Sequence, residues 1–142
     1  MLDRVVLDTN VFVGACLGTG AATGVLAACL EGRVQPLMGA TLFSEHEDVL
    51  GRVSLFKGCR LTAAERAALL DIYLARCEWT RVYYTWRPNL RDEGDNHVIE
   101  LAVAGAARYV VTRNLRDLQS MELRFPALRI VSPETFLKEL QP

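Results

Sequence analysis

The amino-acid sequence predicts an α/β protein in which helices cover both faces of a mostly parallel sheet. Short apolar, β-branched runs alternate along the chain with longer segments of helical period. Such runs are typical of strands buried on both faces, and strands that alternate with helices usually pair in parallel. The chain has 142 residues, the size of one domain, and no repeat or linker divides it. We therefore expect a single domain over residues 1–142.

Each expected element follows from a local pattern. The candidate strands are 4–8 (RVVLD), 108–112 (RYVVT) and 128–131 (LRIV), with weaker ones at 34–38 and 80–84. The candidate helices are 22–31, 40–53, 62–78, 93–106 and a last one that begins at Ser132-Pro133-Glu134. Ser132 is a typical N-cap, and Pro133 is favoured in a first turn. Ligands of such sheets bind outside the carboxyl ends of the strands, so we look for site residues there.

Composition narrows the class of protein. With 51% hydrophobic and 23% charged residues the chain is not disordered, and no apolar run is long enough for a membrane span. Asp3 and Asp8 stand where a secretory signal would be basic, which favours a cytoplasmic protein without membrane association. The net charge of −1 provides no overall attraction for polyanions. The four cysteines lack metal-ligand spacing and are expected to be buried thiols in a reducing compartment.

Polar residues follow two of the strong strands. The first strand leads into Asp8-Thr9-Asn10, and the run at 108–112 leads into Thr112-Arg113-Asn114. Asp8 therefore places an ionisable group at the end of a predicted central strand. Its alternative role is the N-cap of a following helix.

The helix predicted over 93–106 carries carboxylates on its apolar side. Asp95 lies in line with the apolar stripe, and Asp92 is about 60° away. The stripe consists of Val98, Ile99, Ala102 and Ala106. A carboxylate facing the core must be neutralised, hydrogen-bonded or bound to a cation, although capping of the helix by this pair is the alternative. His97 and Glu100 fall outside the stripe, so we expect both at the solvated surface.

The helix predicted over 40–53 carries an acidic cluster. Its apolar stripe consists of Leu42, Phe43, Val49, Leu50 and Val53. Glu45 and Glu47 flank this stripe on opposite edges, whereas Asp48 faces outward. Periodicity alone does not choose between the two glutamates. His46 lies near the centre of the stripe, which is typical of a core histidine.

These acids favour metal-assisted chemistry. Asp8, one glutamate of the 45–48 cluster, Asp92 or Asp95, and Asp117 come from separate segments that could converge at one end of a sheet. Oxygen ligands without His or Cys suit Mg²⁺ or Mn²⁺, and such ions promote phosphodiester hydrolysis. The sequence has no P-loop, dinucleotide-binding fingerprint or serine nucleophile elbow.

Four segments, in order, resemble the successive motifs of PIN domains. They are VVLDTN at 5–10, EHEDVL at 45–50, DEGDN at 92–96 and YVVTRN at 109–114, which continues to Asp117-Leu118. The resemblance spans residues 4–137 and is most specific to bacterial toxin components of toxin–antitoxin systems. It implies a three-layer α/β/α sandwich and a Mg²⁺- or Mn²⁺-dependent endoribonuclease of single-stranded RNA. A cognate antitoxin protein and a second copy of the chain are the expected protein partners.

The resemblance also assigns roles to residues. The implied metal ligands are Asp8, Glu45, which heads the E-x-x-x-V-L pattern, and Asp95. Asn114 departs from the family, since many relatives have an Asp there, and Asp117 is the carboxylate that could compensate. The implied catalytic residues are Asp8, Glu45, Asp95 and Asp117, and the supporting residues are Thr9, Asn10, Asp92, Thr112 and Asn114.

Contacts to RNA are assigned by proximity and composition. Arg113 and Arg116 are closest in sequence to the predicted site and rank first as phosphate contacts. The segment 79–87 interleaves aromatic residues with arginines, which suits stacking on unpaired bases, although a strand followed by a loop is the alternative.

Two other functions stay open. A PIN-like fold with Asn114 could bind RNA or a protein without efficient catalysis. A small-molecule phosphatase with an Asp8 nucleophile would need a second Asp where Asn10 stands.

Overall fold

The computed structural model describes residues 2–82, 96–119 and 127–140, which form a parallel sheet covered by helices. The strands are β1 (Arg4–Leu7), β2 (Gln35–Met38), β3 (Glu78–Trp79), β4 (Tyr109–Val111) and β5 (Arg129–Val131). The helices are α1 (Thr9–Cys16), α2 (Gly20–Leu30), α3 (Ala40–Leu50), α4 (Ala63–Arg76), α5 (Asn96–Ala104), α6 (Leu115–Gln119) and α7 (Pro133–Leu140). The strand order is β3-β2-β1-β4-β5, and every pairing is parallel. The α/β sandwich predicted from the sequence is confirmed.

The helices form layers on the two faces of the sheet. The chain moves from β1 through β2 to β3 in one direction, then crosses to β4 and β5 in the other. Because such crossovers are right-handed, the helices of the two halves lie on opposite faces. Helix α2 packs against α1, α4 and α7, whereas α5 packs against β1, β2 and β4. Helix α3 contacts both α1 and α5, which places it where the two layers meet.

Strand β1 is central because its apolar run is buried on both faces. Val5, Val6 and Leu7 have no exposed surface. They pair in register with Tyr109, Val110 and Val111 of β4, which are also buried. A strand without a solvated face is typical of a parallel sheet between helical layers. Such a strand delivers the residue that follows it to one defined point at the edge of the sheet.

Four of the five predicted strands are observed, and the fifth is displaced. Strand β3 consists of Glu78 and Trp79, so residues 80–82 of the prediction at 80–84 are not in a strand, and residues 83 and 84 lie outside the described ranges. Its partner β2 ends at Met38, and Gly39 caps α3, so only the backbone N–H of Thr80 still finds a carbonyl, that of Met38 at 2.9 Å. Beyond Thr80 there is no neighbouring backbone on β2 to extend the pairing.

Two predictions on helices are also corrected. Helix α1 was not predicted as a separate element, because its eight residues are too few and too apolar to show a helical stripe. Val53 was expected in the buried stripe of the helix at 40–53 but is 82% exposed. Helix α3 ends at Leu50, and a short 3₁₀ helix at Val53–Phe56 turns the Val53 side chain away from the core.

Helix α5 is buried on more sides than one apolar stripe indicates. His97 and Glu100 were expected at the surface, but the His97 side chain is only 11% exposed and Glu100 is 3% exposed. The physical reason is the second contact of the helix, since α5 packs against the sheet and also against α3. A helix enclosed in this way is buried around most of its circumference.

The cysteines are free thiols, as the spacing predicts. Cys16 and Cys29 are buried, and Cys59 and Cys77 are half-buried. Burial raises the pKa of Cys16 to about 11 and that of Cys77 to about 12, because a thiolate loses its hydration there.

Within the described ranges, no single helix is long and apolar enough to cross a membrane. Helices α1 and α2 reach that length and apolarity only when taken together, and they are bent by 104° where they meet.

Candidate functional site

The carboxyl ends of β1 and β4 bring Asp8 and Thr112 together. Leu7 pairs with Val111, so the next residue on each strand lies at the same edge of the sheet. The backbone N–H of Asp8 donates to the Val111 carbonyl at 3.0 Å. The Thr112 hydroxyl donates to Oδ2 of Asp8 at 2.8 Å. The buried strand pair therefore holds this carboxylate by a side chain that is 104 residues distant in sequence.

Asp8 also caps α1, as the alternative sequence interpretation of this residue predicts. Its Oδ1 accepts from the backbone N–H of Thr9 at 2.8 Å. Asp8 is only 6% exposed. Burial raises the pKa of Asp8, and the nearby Glu45 carboxylate raises it further, whereas the bonds from Thr112 and Thr9 lower it. Burial and the Glu45 carboxylate thus disfavour the ionised form of Asp8, and a bound cation would favour it.

Glu45 is the glutamate of the acidic cluster that faces Asp8. The Thr9 hydroxyl donates to Oε1 of Glu45, and Nε2 of His97 lies 3.2 Å from Oε2. Glu47 is exposed, and Asp48 forms an exposed pair with Arg52. Thr9 therefore connects the two carboxylates, since its backbone holds Asp8 and its side chain holds Glu45.

Both carboxylates line one cleft of about 330 Å³. Thr9, Asn10 and Asn114 line it too, with Val13, Val49 and Leu55 as its apolar wall. The side-chain carbonyl of Asn10 accepts from the backbone N–H of Arg113 at 3.1 Å. The backbone N–H of Asn114 donates to the Thr112 hydroxyl at 2.9 Å. The strand-end residues singled out from the sequence therefore form one hydrogen-bonded group.

His46 is a core residue, as the sequence predicts. It is fully buried, and its Nδ1 lies 2.9 Å from the Leu42 carbonyl and 3.1 Å from the Thr9 hydroxyl. Burial lowers the pKa of His46, so the ring is neutral at pH 7. Its Nδ1 atom contacts the same Thr9 hydroxyl that donates to Glu45.

The described part of the site contains two carboxylates, Asp8 and Glu45. Within residues 2–82, 96–119 and 127–140, no three His, Cys, Asp or Glu side chains converge closely enough to hold a metal. Asp92 and Asp95 lie outside these ranges, so the third predicted ligand and its neighbour stay predictions. A buried and a half-buried acidic side chain beside amide and hydroxyl oxygens form a donor set that suits Mg²⁺ or Mn²⁺.

The residues after Thr112 are only partly in the cleft. Asp117, in α6, is half-buried and is not among the described residues that line the cleft. The Arg113 guanidinium binds both carboxylate oxygens of Glu134, at 2.6 and 2.7 Å, and this contact lowers the pKa of Glu134. Arg116 is exposed. The role of Asp117 in catalysis and those of both arginines in RNA binding stay predictions.

His97 is the site residue that sequence reasoning missed. On a one-stripe helical wheel it falls outside the apolar face, yet its ring reaches across to α3 and contacts Glu45. The missed signal is the spread of apolar residues in α5 over more than one stripe. These residues are Val98, Ile99, Leu101, Ala102 and Val103. That spread indicates a helix buried on several sides, where a histidine needs a partner.

Comparison with known proteins agrees with this fold. The family profile described as PIN domain matches residues 4–116. In structure, the chain is similar to a chain in the crystal structure of VapBC2 from Rickettsia felis. In that structure VapBC2 is bound to a DNA fragment from its own promoter. The TM-score is 0.61 at 15% sequence identity, and the match covers 91% of this chain and 98% of that one. No curated protein matches the chain.

Proposed function

The chain belongs to the PIN domain family, whose members are generally nucleases, and on this premise we propose that it is a metal-dependent endoribonuclease of single-stranded RNA. The observation that carries the proposal is the pairing of Asp8 and Glu45 in one cleft at the carboxyl edge of the sheet. Thr9 joins the two carboxylates. Among the functions open to the sequence, phosphodiester hydrolysis is the one that a cleft lined by two acidic side chains favours most.

The proposed ligands of Mg²⁺ or Mn²⁺ are Asp8, Glu45 and Asp95. Asp95 directly precedes Asn96, the first residue of α5, in the sequence. A nearby divalent charge would favour the carboxylate form of Asp8 and would oppose the burial that raises its pKa. When bound, such an ion supplies an activated water and neutralises charge on the phosphate oxygens.

The other residues of the cleft hold these ligands in place. Thr112 fixes one oxygen of Asp8 and the backbone of Thr9 fixes the other. Glu45 is held on its two oxygens by Thr9 and His97. Each carboxylate thus keeps a defined orientation before any substrate enters, which lowers the cost of organising the site.

The region around Asn114 carries a further part of the proposal. Asn114 lines the cleft but contributes no charge. We assign to Asp117 the role of the compensating acid, and expect one ion to bind firmly and a second to arrive with the substrate. Asp92 is assigned a supporting role beside Asp95.

The proposed setting is a toxin–antitoxin pair in the cytoplasm. The structural likeness to a chain of VapBC2 supports an antitoxin protein as partner, and a homodimer is the proposed assembly. The whole chain, residues 1–142, is proposed to act as one nuclease domain.

Cleavage of an unstructured, fluorescently labelled RNA tests the function. With Mn²⁺ we expect endonucleolytic products, which disappear in EDTA. Asp8→Asn, Glu45→Gln and Asp95→Asn should each lower kcat at least about 100-fold, since each removes a charge that holds the ion. The matched control is Glu47→Gln, which changes an exposed glutamate of the same helix and should leave cleavage unchanged. No cleavage by the parent, or equal cleavage by the three variants, would refute the nuclease.

Asn114 favours one second candidate, a binding module with weak or no catalysis. The amide lies in the cleft where many relatives carry an acid. This function predicts RNA binding of equal strength in Mn²⁺ and in EDTA, without turnover.

A further inference from the structure

A second and larger cavity lies at the carboxyl ends of β2 and β3. Its volume is about 580 Å³, which is in the size range of small-ligand pockets. Its walls include Gly39 and Leu42 at the start of α3, Trp79 and Thr80 at the end of β3, and His97 of α5. It therefore opens at the same edge of the sheet as the Asp8–Glu45 cleft.

The cavity carries an aromatic face and a cation. The Trp79 ring packs edge-on against Phe43, and Trp79 is still 53% exposed. Arg81 lies beside it, is exposed, and forms no hydrogen bond or ion pair with any described residue. Arg113, in contrast, is already held by Glu134. Of these two arginines, Arg81 is the one whose charge is available to a ligand.

His97 connects this cavity to the proposed metal site. Its ring lines the cavity, and its Nε2 atom contacts Glu45, which lines the cleft. Strands β3 and β1 are separated only by β2, so their ends lie about 10 Å apart. A polymer chain whose phosphate occupies the cleft can place a neighbouring residue in the cavity.

We propose that this cavity is a base-binding subsite for the RNA, in which one unpaired nucleobase stacks on Trp79 while Arg81 contacts the adjoining phosphate. An aromatic surface beside a guanidinium that has no ion-pair partner among the described residues is the combination that single-stranded nucleic acids bind. This inference rests on the proposed function and names the part of the substrate that the second cavity holds.

Binding without cleavage tests the subsite directly. In a Trp86→Phe background, Trp79 is the only tryptophan, since the chain has two. Titration of an unstructured decanucleotide RNA in EDTA should quench its emission. By fluorescence anisotropy, Trp79→Leu should raise the Kd about fivefold or more, because loss of one stacked base weakens binding to that extent. Arg81→Gln should raise the Kd as well, because it removes a phosphate contact. Trp79→Phe keeps an aromatic face and should retain most of the affinity.

Matched controls separate the subsite from general effects. Ile72→Ala removes an exposed apolar side chain of α4, and Arg33→Gln removes an exposed arginine that precedes β2, at the opposite edge of the sheet. Both should bind as the parent does. Thermal melting of every variant identifies any that fails to fold. If Trp79→Leu does not fold, Trp79→Phe and Arg81→Gln still test the subsite.

The outcomes distinguish the subsite from the nuclease. With Mn²⁺, a rise in KM at unchanged kcat in Trp79→Leu and Arg81→Gln supports the subsite. If the parent cuts RNA and both variants bind and cut equally well, the subsite is refuted and the nuclease stands. If RNA quenches Trp79 without any turnover, the subsite stands and the nuclease fails. If the parent binds no RNA, or if only a protein partner quenches Trp79, the subsite is refuted.

Discussion

The Nε2 atom of His97 on α5 lies 3.2 Å from Oε2 of Glu45 on α3. With the Thr9 hydroxyl on Oε1, this contact fixes both oxygens of a carboxylate whose side chain is about one-third exposed. A carboxylate held at both oxygens does not need to reorganise when it takes on a ligand or a charge. The contact therefore assigns His97 a positioning role for Glu45.

His97→Leu should lower kcat about 10- to 100-fold, the usual cost of losing a hydrogen bond to a metal ligand. His97→Gln, which keeps an N–H donor of similar reach, should restore most of that loss. Apparent Mn²⁺ affinity, measured by calorimetry without RNA, should follow the same order. Equal defects in Leu and Gln variants would contradict a positioning role and indicate that the ring is needed only for packing.

Asp8→Asn should make the protein more stable although it removes activity. Burial raises the pKa of Asp8 in the folded state above its unfolded value, so the folded protein binds the proton more tightly. The contribution of Asp8 to stability is thus greatest below the unfolded pKa and falls as the pH rises through the folded pKa. Urea unfolding at pH 7 should show a higher midpoint for Asp8→Asn than for the parent.

The sign of this effect is checked by its pH dependence. The gain in the free energy of unfolding of Asp8→Asn over the parent should shrink as the pH falls below the raised pKa of Asp8. Below that pH the parent carboxyl is protonated and therefore uncharged, as the amide is. Asp48→Asn, which changes an exposed acid paired with Arg52, is the control and should show no gain. A destabilised Asp8→Asn at pH 7 would show that the hydrogen bonds of the carboxylate outweigh its burial.

Mn²⁺ should raise the Tm of the metal-free parent. A ligand that binds only the folded state adds roughly 2.7 kcal/mol of stability at a hundredfold excess over its Kd. Asp8→Asn and Glu45→Gln should lose most of the shift in a thermal melt, whereas Glu47→Gln should keep it. An equal shift in all variants would place the ion elsewhere on the protein.

Arg116→Gln should weaken RNA binding more than Arg113→Gln does. Arg113 is already neutralised by Glu134, whereas Arg116 is exposed and forms no ion pair with any described residue. Loss of one phosphate contact should also reduce the salt dependence of the Kd by about one ion. The measurement is the Kd for RNA over a series of salt concentrations, and a larger effect at Arg113 would reverse this ranking.

Much of the fold follows from local pattern, because strands buried on both faces leave a clear mark. The runs that became β1 and β4 are uninterrupted and apolar, so their pairing and the residues at their ends could be predicted. Strand β3 could not be placed correctly, because its length depends on where β2 ends, at Met38. That limit is set by a neighbour in space and leaves no mark in the local sequence.

The site could be predicted only as far as one element determines it. Asp8 follows from its position after β1, but the choice of Glu45 over Glu47 came from resemblance, since both flank the same apolar stripe. Helix α3 packs against α1 and α5, and this packing brings Glu45 into contact with Thr9 and His97. His97 was misplaced for the same reason, because periodicity describes one helix at a time.

The dependence of Asp8 on Thr112 has a consequence for the timing of synthesis. Strand β1 is made first but lies in the middle of the sheet, and its second neighbour, β4, leaves the ribosome much later. Until then Asp8 lacks both the strand that anchors its backbone and the hydroxyl that orients its carboxylate. The Asp8–Thr112 contact therefore cannot form in an emerging chain until β4 and the residue that follows it have been made.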